Sequence, residues 1–138
     1  MRALFDTHAL IWWFSDNDSL PPIVREIIAD TENTLLVSAA SAWEIAIKHQ
    51  LGKLRKVGDL VSDFSGRVEC EGFQLLPISA EHAIRAGLLP GRRKDPFDRM
   101  LIAQSQAENI PIIRSLLDSQ DPWLQLYGAG ALLSAPSR

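Results

Sequence analysis

Short apolar runs alternate with helical patterns along this 138-residue chain, and this alternation restricts the fold more than any other feature. Strands are predicted at residues 2–6, 34–38, 73–76, 110–113 and 130–133, with helical segments between them. Strands that are separated by helices form parallel sheets with right-handed crossover connections. The sequence therefore predicts an α/β fold with a mostly parallel sheet. Because no repeat, low-complexity run or linker interrupts the pattern, residues 1–138 are expected to form a single domain.

Local signals predict where the helices begin. Pro21 and Pro22 suit the first turn of a helix, and Asp95 followed by Pro96 suits the cap and first residue of another. A further helix is predicted over residues 57–67. The helix after the second strand is capped by Ser38 or Ser41 and ends at Gly52. Its apolar residues recur every three or four positions and predict a core-facing stripe: Ala39, Ala42, Trp43, Ala46 and Ile47.

Charge and composition limit the classes of partner. The net charge is −3 and the isoelectric point is near 5.5, so no overall positive field attracts nucleic acid, and any polyanion must meet a local basic patch. The one cysteine, Cys70, can form no internal disulfide and fits a reducing compartment. No apolar run reaches the roughly 18 residues needed to span a membrane, and no signal peptide is apparent. We expect a cytoplasmic protein that has no membrane partner.

Four carboxylates lie where such a fold could gather them at one edge. Asp6 follows the first strand, and either Asp118 or Asp121 follows the fourth. Glu44 and Asp98 lie on helices that would flank the same edge, where ligands of parallel sheets bind. Converging carboxylates without matching bases indicate a hard divalent cation, because such ions take oxygen ligands. The pattern predicts metal-assisted hydrolysis.

Each acid also has a structural interpretation. Asp6 could cap the following helix, Glu44 could pair with Lys48 four residues later, and Asp95 is expected primarily to cap its helix. Asp98 gains little from capping, which favours a ligand role. Asp121 precedes Pro122 and could equally begin a short helix.

Several other residues could contact a polyanion. The cations of the segment Arg92-Arg93-Lys94, together with Arg99, flank the acidic motif and could bind phosphates or form a solvated surface. The hydroxyl of Thr7 could hold a phosphate oxygen or cap a helix. The three tryptophans considered for base stacking are expected instead to be core or interface residues: Trp12, Trp13 and Trp43.

Three sequence blocks resemble PIN-domain ribonucleases of the toxin (VapC-like) type. The blocks follow the expected order and cover residues 3–104: Leu4-Phe5-Asp6-Thr7-His8, then Ser41-Ala42-Trp43-Glu44-Ile45-Ala46-Ile47-Lys48 with Leu51-Gly52-Lys53-Leu54, then Asp95-Pro96-Phe97-Asp98-Arg99 running to Gln104. The resemblance implies a three-layer α/β/α fold and cleavage of RNA with Mg²⁺ or Mn²⁺. It also implies inhibition by a small antitoxin, and it makes a homodimer expected.

The resemblance implies a set of site residues as well. Asp6, Glu44 and Asp98 match the catalytic and metal-binding acids, with Asp95 and Asp121 completing the metal site. Relatives carry a Thr-x-Asp just after the fourth strand, whereas this chain has a longer segment at residues 114–121. Either Asp118 or Asp121, or neither, therefore supplies the fourth acid.

Other functions fit the sequence less well. A phospho-receiver module needs an accepting Asp at the end of a central strand, yet the second strand ends in Val37-Ser38. A phosphatase of the haloacid dehalogenase type needs Asp-x-Asp after the first strand, and Asp6-Thr7-His8 lacks the second acid. A catalytically degenerate PIN domain that only binds its ligand is the alternative that the altered segment after strand four leaves open.

Overall fold

A computed structural model describes residues 1–54, 57–91, 95–114 and 133–134. The strands are β1 (Arg2–Phe5), β2 (Thr34–Ser38), β3 (Gln74–Leu76), β4 (Ile112–Ile113) and β5 (Leu133–Ser134). The helices are α1 (Thr7–Phe14), α2 (Pro22–Ala29), α3 (Ala39–Gln50), α4 (Gly58–Ser62), α5 (Phe64–Cys70), α6 (Ala80–Leu88) and α7 (Pro96–Glu108). None of the helices in these ranges is long and apolar enough to cross a bilayer.

The sheet has β1 at its centre, in the order β3-β2-β1-β4-β5. The first four strands are parallel, and β5 pairs antiparallel with β4 at the edge. In the register, Leu4 is beside Leu36 on one side and Ile112 on the other. Because β1 is central, the residue that follows it, Asp6, lies in the middle of the carboxyl edge.

Successive residues of β1 point to opposite faces of the sheet and contact two separate hydrophobic clusters. Ala3 and Phe5 belong to a cluster that includes buried residues of helices α1 to α5. Leu4 belongs to the other cluster, with Leu101 of α7. Helix α6 packs against α7. Helices thus cover both faces of the sheet, which confirms the predicted three-layer α/β/α fold.

The prediction of one continuous helix over residues 57–67 is wrong, because the segment forms two helices. It is divided at Asp63, whose φ of −147° and ψ of 63° are not helical, and a second helix follows. The Asp63 carboxylate caps that second helix by accepting a hydrogen bond from the Gly66 backbone N–H at 3.3 Å. A side chain at Gly66 would collide with this carboxylate, so the glycine allows the close approach. Capping by Asp63 therefore ends α4 and begins α5.

The apolar stripe of α3 faces away from the core, which corrects the sequence expectation. The buried face of α3 comprises Ala40, Ser41, Glu44 and Ile45, while Trp43 is 60% exposed and Ile47 is 38% exposed. The helix is held in this orientation by Ser41, whose hydroxyl forms a buried 3.0 Å hydrogen bond with the hydroxyl of Thr7 on α1. The buried side of α3 therefore combines this polar contact with the packing of Ile45 in the core.

Candidate functional site

Asp6 lies at the centre of the carboxyl edge and caps α1. Its Oδ1 accepts a hydrogen bond from the Ala9 backbone N–H at 2.7 Å. Its own backbone N–H donates to the carbonyl oxygen of Ile113 at 2.9 Å, which extends the β1–β4 pairing by one residue. The capping interpretation of Asp6 is therefore correct. Because a carboxylate has two oxygens that can each accept more than one bond, capping leaves acceptor capacity for a metal ion.

Glu44 is a buried carboxylate on α3, only 8% exposed. One of its oxygens, Oε2, is 2.7 Å from the Nζ of Lys48. Burial of a carboxylate costs free energy unless a cation or hydrogen-bond donors compensate, and Lys48 is positioned to do so. The i,i+4 pair that the sequence offered as an alternative is present, in a buried setting rather than on the surface.

Asp98 lies in the first turn of α7 and faces a cation from the next strand. Its Oδ1 is 3.6 Å from a guanidinium nitrogen of Arg114, the residue that directly follows β4. Since the end of β4 pairs with the end of β1, Arg114 comes from the strand end adjacent to Asp6. Asp6 and Asp98 therefore approach the same part of the sheet edge.

Asp95 is the N-terminal cap of α7. Its Oδ1 accepts hydrogen bonds from the backbone N–H groups of Phe97 at 2.9 Å and Asp98 at 3.4 Å. These bonds fix the first turn of α7 and with it the position of Asp98. The structure thus gives Asp95 the capping role that the sequence favoured.

Two contacts bring the helices that carry the acids together. The Thr7–Ser41 hydrogen bond joins the start of α1 to the start of α3. The rings of Trp43 on α3 and Phe97 on α7 meet edge to face, with centroids 4.9 Å apart. Within the described residues, no three Asp, Glu, His or Cys side chains are close enough to hold one ion together. Asp118 and Asp121 lie outside the described residues.

The acidic edge offers oxygen donors only, which is the chemistry that Mg²⁺ and Mn²⁺ prefer. Asp6 and Asp98 lie on two different elements and Glu44 is buried on a third, and Lys48 and Arg114 offset part of the negative charge of Glu44 and Asp98. A buried carboxylate such as Glu44 fits a ligand role, since a divalent ion would supply further compensation for its burial. The type of donor therefore suits Mg²⁺ or Mn²⁺, while the described residues do not by themselves bring three donors to one ion.

Of the residues predicted to contact RNA, the structure describes Thr7 and Arg99, and both have partners within the chain. Thr7 is only 3% exposed and bonded to Ser41. Arg99 donates to carbonyl oxygens at the end of α6, those of Ala86 and Leu89, each at 2.8 Å. These contacts give both residues structural roles, and neither partner was indicated by the sequence, which offered Thr7 only as a phosphate contact or a helix cap. The segment 92–94, with Arg92, Arg93 and Lys94, lies outside the described residues.

Sequence reasoning missed three residues at this edge. Arg114 faces Asp98, Ser41 bonds Thr7, and Gln104 is fully buried and accepts a 2.5 Å hydrogen bond from the Ser38 hydroxyl. The position of Arg114 directly after the fourth strand was the available signal, because residues there lie on the same edge as Asp6. The local pattern marked Ser41 only as a possible helix cap, a role that Ser38 takes, and it did not mark Gln104, since the partners of both residues are distant in sequence.

Comparisons with known proteins agree with this architecture. A sequence model of the PIN domain family matches residues 3–120. Ribonuclease VapC16 of Mycobacterium tuberculosis is 44% identical over 59 residues, which are 43% of this chain and 40% of that protein. The matched segment thus spans well under half the length of that relative.

The crystal structure of VapBC2 from Rickettsia felis bound to a DNA fragment from their promoter has a similar fold, with a TM-score of 0.52 at 16% identity. That similarity covers 81% of this chain and 86% of the solved one. With its three-layer fold and most of its length matched, the chain belongs to the PIN domain family.

Proposed function

We propose that this chain is a metal-dependent endoribonuclease that hydrolyses RNA phosphodiester bonds. The observation that supports the proposal is that Asp6 follows the central strand at the carboxyl edge, while Asp98 faces Arg114, which follows the adjacent strand. The similarity to Ribonuclease VapC16 supports the reaction class. Membership of the PIN family supports the same assignment.

Asp6, Glu44 and Asp98 would hold Mg²⁺ or Mn²⁺, with Asp95 and Asp121 completing the site. A divalent ion in such a site lowers the pKa of water and neutralises charge on the phosphate. The chain's own residues position these acids: Ser41 and Thr7 fix α3 against α1, and the Asp95 cap fixes the first turn of α7. Lys48 and Arg114 limit the repulsion between the carboxylates when no ion is bound.

The RNA would be bound by cations near the acidic motif. Arg92, Arg93 and Lys94 immediately precede Asp95 in sequence, and we propose that they contact phosphates, with Thr7 and Arg99 as further contacts. Thr7 is buried and Arg99 is bonded to α6, so each side chain would have to move before it could contact RNA. The basic segment is therefore the principal phosphate-binding element of the proposal.

We further propose that the chain is the toxin of a toxin–antitoxin pair in the cytoplasm, folded as one domain. The fold that it shares with VapBC2 supports a small antitoxin partner. Pairing with a second copy is supported by exposed apolar side chains on and just after α3, where Ile47 is 38% and Leu51 is 63% exposed. Exposed apolar patches of this kind mark protein interfaces.

Replacement of the acids tests the proposed reaction. Asp6→Ala, Glu44→Gln and Asp98→Ala should each reduce Mn²⁺-dependent cleavage of single-stranded RNA by at least about a hundredfold, because each removes a ligand. Glu44→Gln preserves the volume of a buried side chain. Glu69→Ala is the matched control, since Glu69 is an exposed carboxylate on α5 away from the edge.

The outcome distinguishes the proposal from its alternative. Full activity of Asp6→Ala would exclude the assigned site. Wild-type protein that binds RNA without cleaving it under any divalent metal would instead identify a degenerate PIN domain that acts by binding alone. Circular dichroism of each variant confirms that loss of cleavage is not loss of fold.

A further inference from the structure

Arg114 is a cation among the acids of the carboxyl edge, and the proposed reaction uses it only as a counter-ion. It is the first residue after β4, which pairs with the central strand β1. The backbone N–H of Asp6 donates to the carbonyl oxygen of Ile113 at 2.9 Å, so Asp6 and Arg114 follow adjacent strand ends. A guanidinium nitrogen of Arg114 is 3.6 Å from Oδ1 of Asp98. The guanidinium therefore lies beside an acid of the proposed metal site.

This ion pair has no local explanation in the sequence. Within the part of the chain that the structure describes, Lys48 also faces one of the acids, but it is four residues after Glu44 on the same helix, which is an ordinary i,i+4 pair. Arg114 and Asp98 lie on different elements, and only the folded sheet brings them together. The Arg114 side chain is 13% exposed and that of Asp98 is 26% exposed. A cation so largely removed from water is costly unless an anion lies beside it.

The pair between Arg114 and Asp98 is suited to an exchange of partners. Its 3.6 Å separation is longer than the roughly 2.7–2.9 Å of a charge-assisted hydrogen bond. The attraction is therefore Coulombic and fixes no close geometry, so a divalent cation can take the place of the guanidinium at Asp98. The guanidinium would then gain from a new anion, because it remains largely buried and has a second cation nearby.

We propose that Arg114 binds two oxygens of the RNA phosphate that is cleaved, once Asp98 has turned to the metal ion. That phosphate is the anion that must approach Asp98 for hydrolysis. The planar guanidinium presents parallel N–H groups that match two phosphate oxygens, a geometry that an ammonium group does not offer. Such donors also stabilise the negative charge that develops on these oxygens during hydrolysis. This inference rests on the proposed nuclease function and adds a phosphate-binding residue to it.

A role as counter-ion alone predicts a different response to substitution. A guanidinium that only pairs with Asp98 competes with the metal ion, so its removal should strengthen metal binding and leave RNA cleavage intact. A phosphate-binding Arg114 also competes with the ion while RNA is absent, but it assists the reaction once RNA is bound. Its removal should therefore raise the metal affinity and lower the rate of RNA cleavage at saturating metal. The opposite signs of the two effects identify the phosphate-binding role.

Two substitutions of Arg114 separate its charge from its shape. Arg114→Met keeps an apolar stem without the charge, whereas Arg114→Lys keeps the charge without the planar fork. Free Mn²⁺, followed by electron paramagnetic resonance during titration of the RNA-free proteins, should show about three- to thirtyfold tighter binding by Arg114→Met and wild-type affinity in Arg114→Lys. At saturating Mn²⁺, kcat/KM for single-stranded RNA should fall about 10- to 150-fold in Arg114→Met, the range for a hydrogen bond to a charged group. Arg114→Lys should lose at least about tenfold, because an ammonium group cannot bind both oxygens in this way.

Arg25→Met is the matched control. Arg25 also pairs with an aspartate, because its guanidinium is 3.1 Å from Oδ1 of Asp16. Asp16 follows the end of α1, whereas Asp6 caps the start of that helix, so the control pair lies away from the acids. Arg25→Met should therefore keep the wild-type Mn²⁺ affinity and kcat/KM. Circular dichroism checks the fold of each variant, and if Arg114→Met does not fold, kcat/KM of Arg114→Lys decides.

The remaining outcomes separate this inference from the proposed function. Tighter Mn²⁺ binding by Arg114→Met with wild-type kcat/KM would show that Arg114 is only a counter-ion of Asp98. Wild-type kcat/KM in Arg114→Lys would show that the planar fork is not used, and weaker Mn²⁺ binding by Arg114→Met would show that Arg114 positions Asp98. Each of these results overturns the inference while the nuclease stands. A wild-type protein that cleaves no RNA at saturating Mn²⁺ would exclude the proposed reaction itself.

Discussion

At the scale of single residues, two of the acids are balanced by cations, of which the sequence pattern singled out only Lys48. Glu44 is paired with Lys48 at 2.7 Å, and Asp98 faces Arg114 at 3.6 Å. Crowded carboxylates repel one another, and Glu44 is also largely removed from water. The lysine and the arginine therefore stabilise the edge before any metal binds. A divalent ion would partly replace that contribution.

Replacing Lys48 tests this balance. Lys48→Met keeps the aliphatic stem but removes the cation, so it should lower the metal-free free energy of unfolding by about 1–3 kcal/mol. Because a bound ion then relieves more repulsion, Mn²⁺ should raise the melting temperature of the variant by about 3–5 °C more than that of the wild type. Differential scanning fluorimetry with and without Mn²⁺ measures both. Lys53→Met, at an exposed position, is the control, and an equal Mn²⁺ response in all three proteins would contradict the interpretation.

At the scale of elements, a buried polar contact joins the helices that carry the acids. The Ser38 hydroxyl caps α3 by accepting from the Ala40 backbone N–H at 3.0 Å and donates to Gln104 Oε1 at 2.5 Å. Gln104, on α7, also donates from Nε2 to the carbonyl oxygen of Pro77 at 3.2 Å. The end of β2 and the start of α3 are thus tied to α7. This contact sets the separation between the helix of Glu44 and the helix of Asp98.

Removal of the Ser38 hydroxyl should weaken this connection. Ser38→Ala loses the helix cap and leaves the buried Gln104 oxygen without its donor, so we expect a loss of about 2–3 kcal/mol in the free energy of unfolding. Urea denaturation followed by circular dichroism measures the loss. Ser62→Ala is a matched control, because that hydroxyl donates to an exposed local carbonyl oxygen. A Ser38→Ala midpoint equal to the control would mean that the contact contributes no net stability.

At the scale of the whole molecule, an acidic protein is proposed to bind a polyanion. The net charge of −3 makes long-range attraction of RNA unfavourable, and the acids at the carboxyl edge add local repulsion. We therefore expect binding to depend on a small basic region. The only run of three consecutive cations in the sequence is Arg92-Arg93-Lys94.

Neutralisation of this run should change the salt dependence of RNA binding. Each phosphate contact to a single strand contributes about 0.7 to the slope of log K against log salt, so replacing all three cations with Gln should reduce the slope by about 1–2. Fluorescence anisotropy with labelled RNA at several salt concentrations measures it. Arg2→Gln combined with Lys53→Gln and Arg85→Gln controls for net charge, since this variant also loses three cations and all three residues are exposed. An unchanged slope would indicate a solvated surface segment.

The sequence by itself determined the order of strands and helices and the positions of the acids at strand ends. Apolar runs and capping residues act locally, so β1, β2 and the start of α7 could be predicted from Leu4-Phe5, Leu35-Leu36 and Asp95-Pro96. The parallel sheet then followed from the helices between the strands. Asp6 was expected at the carboxyl edge for the same reason, and the structure places it there.

Only the tertiary structure decided which side of α3 is buried and what each acid contacts. Periodicity identifies an apolar stripe, but it does not say that Ser41 will bond Thr7, 34 residues earlier in the chain, and turn Trp43 outwards. The pairing of Asp98 with Arg114 likewise requires two segments that are close only after folding. Contacts between residues far apart in sequence leave no local pattern, because their partners meet only when the sheet has formed.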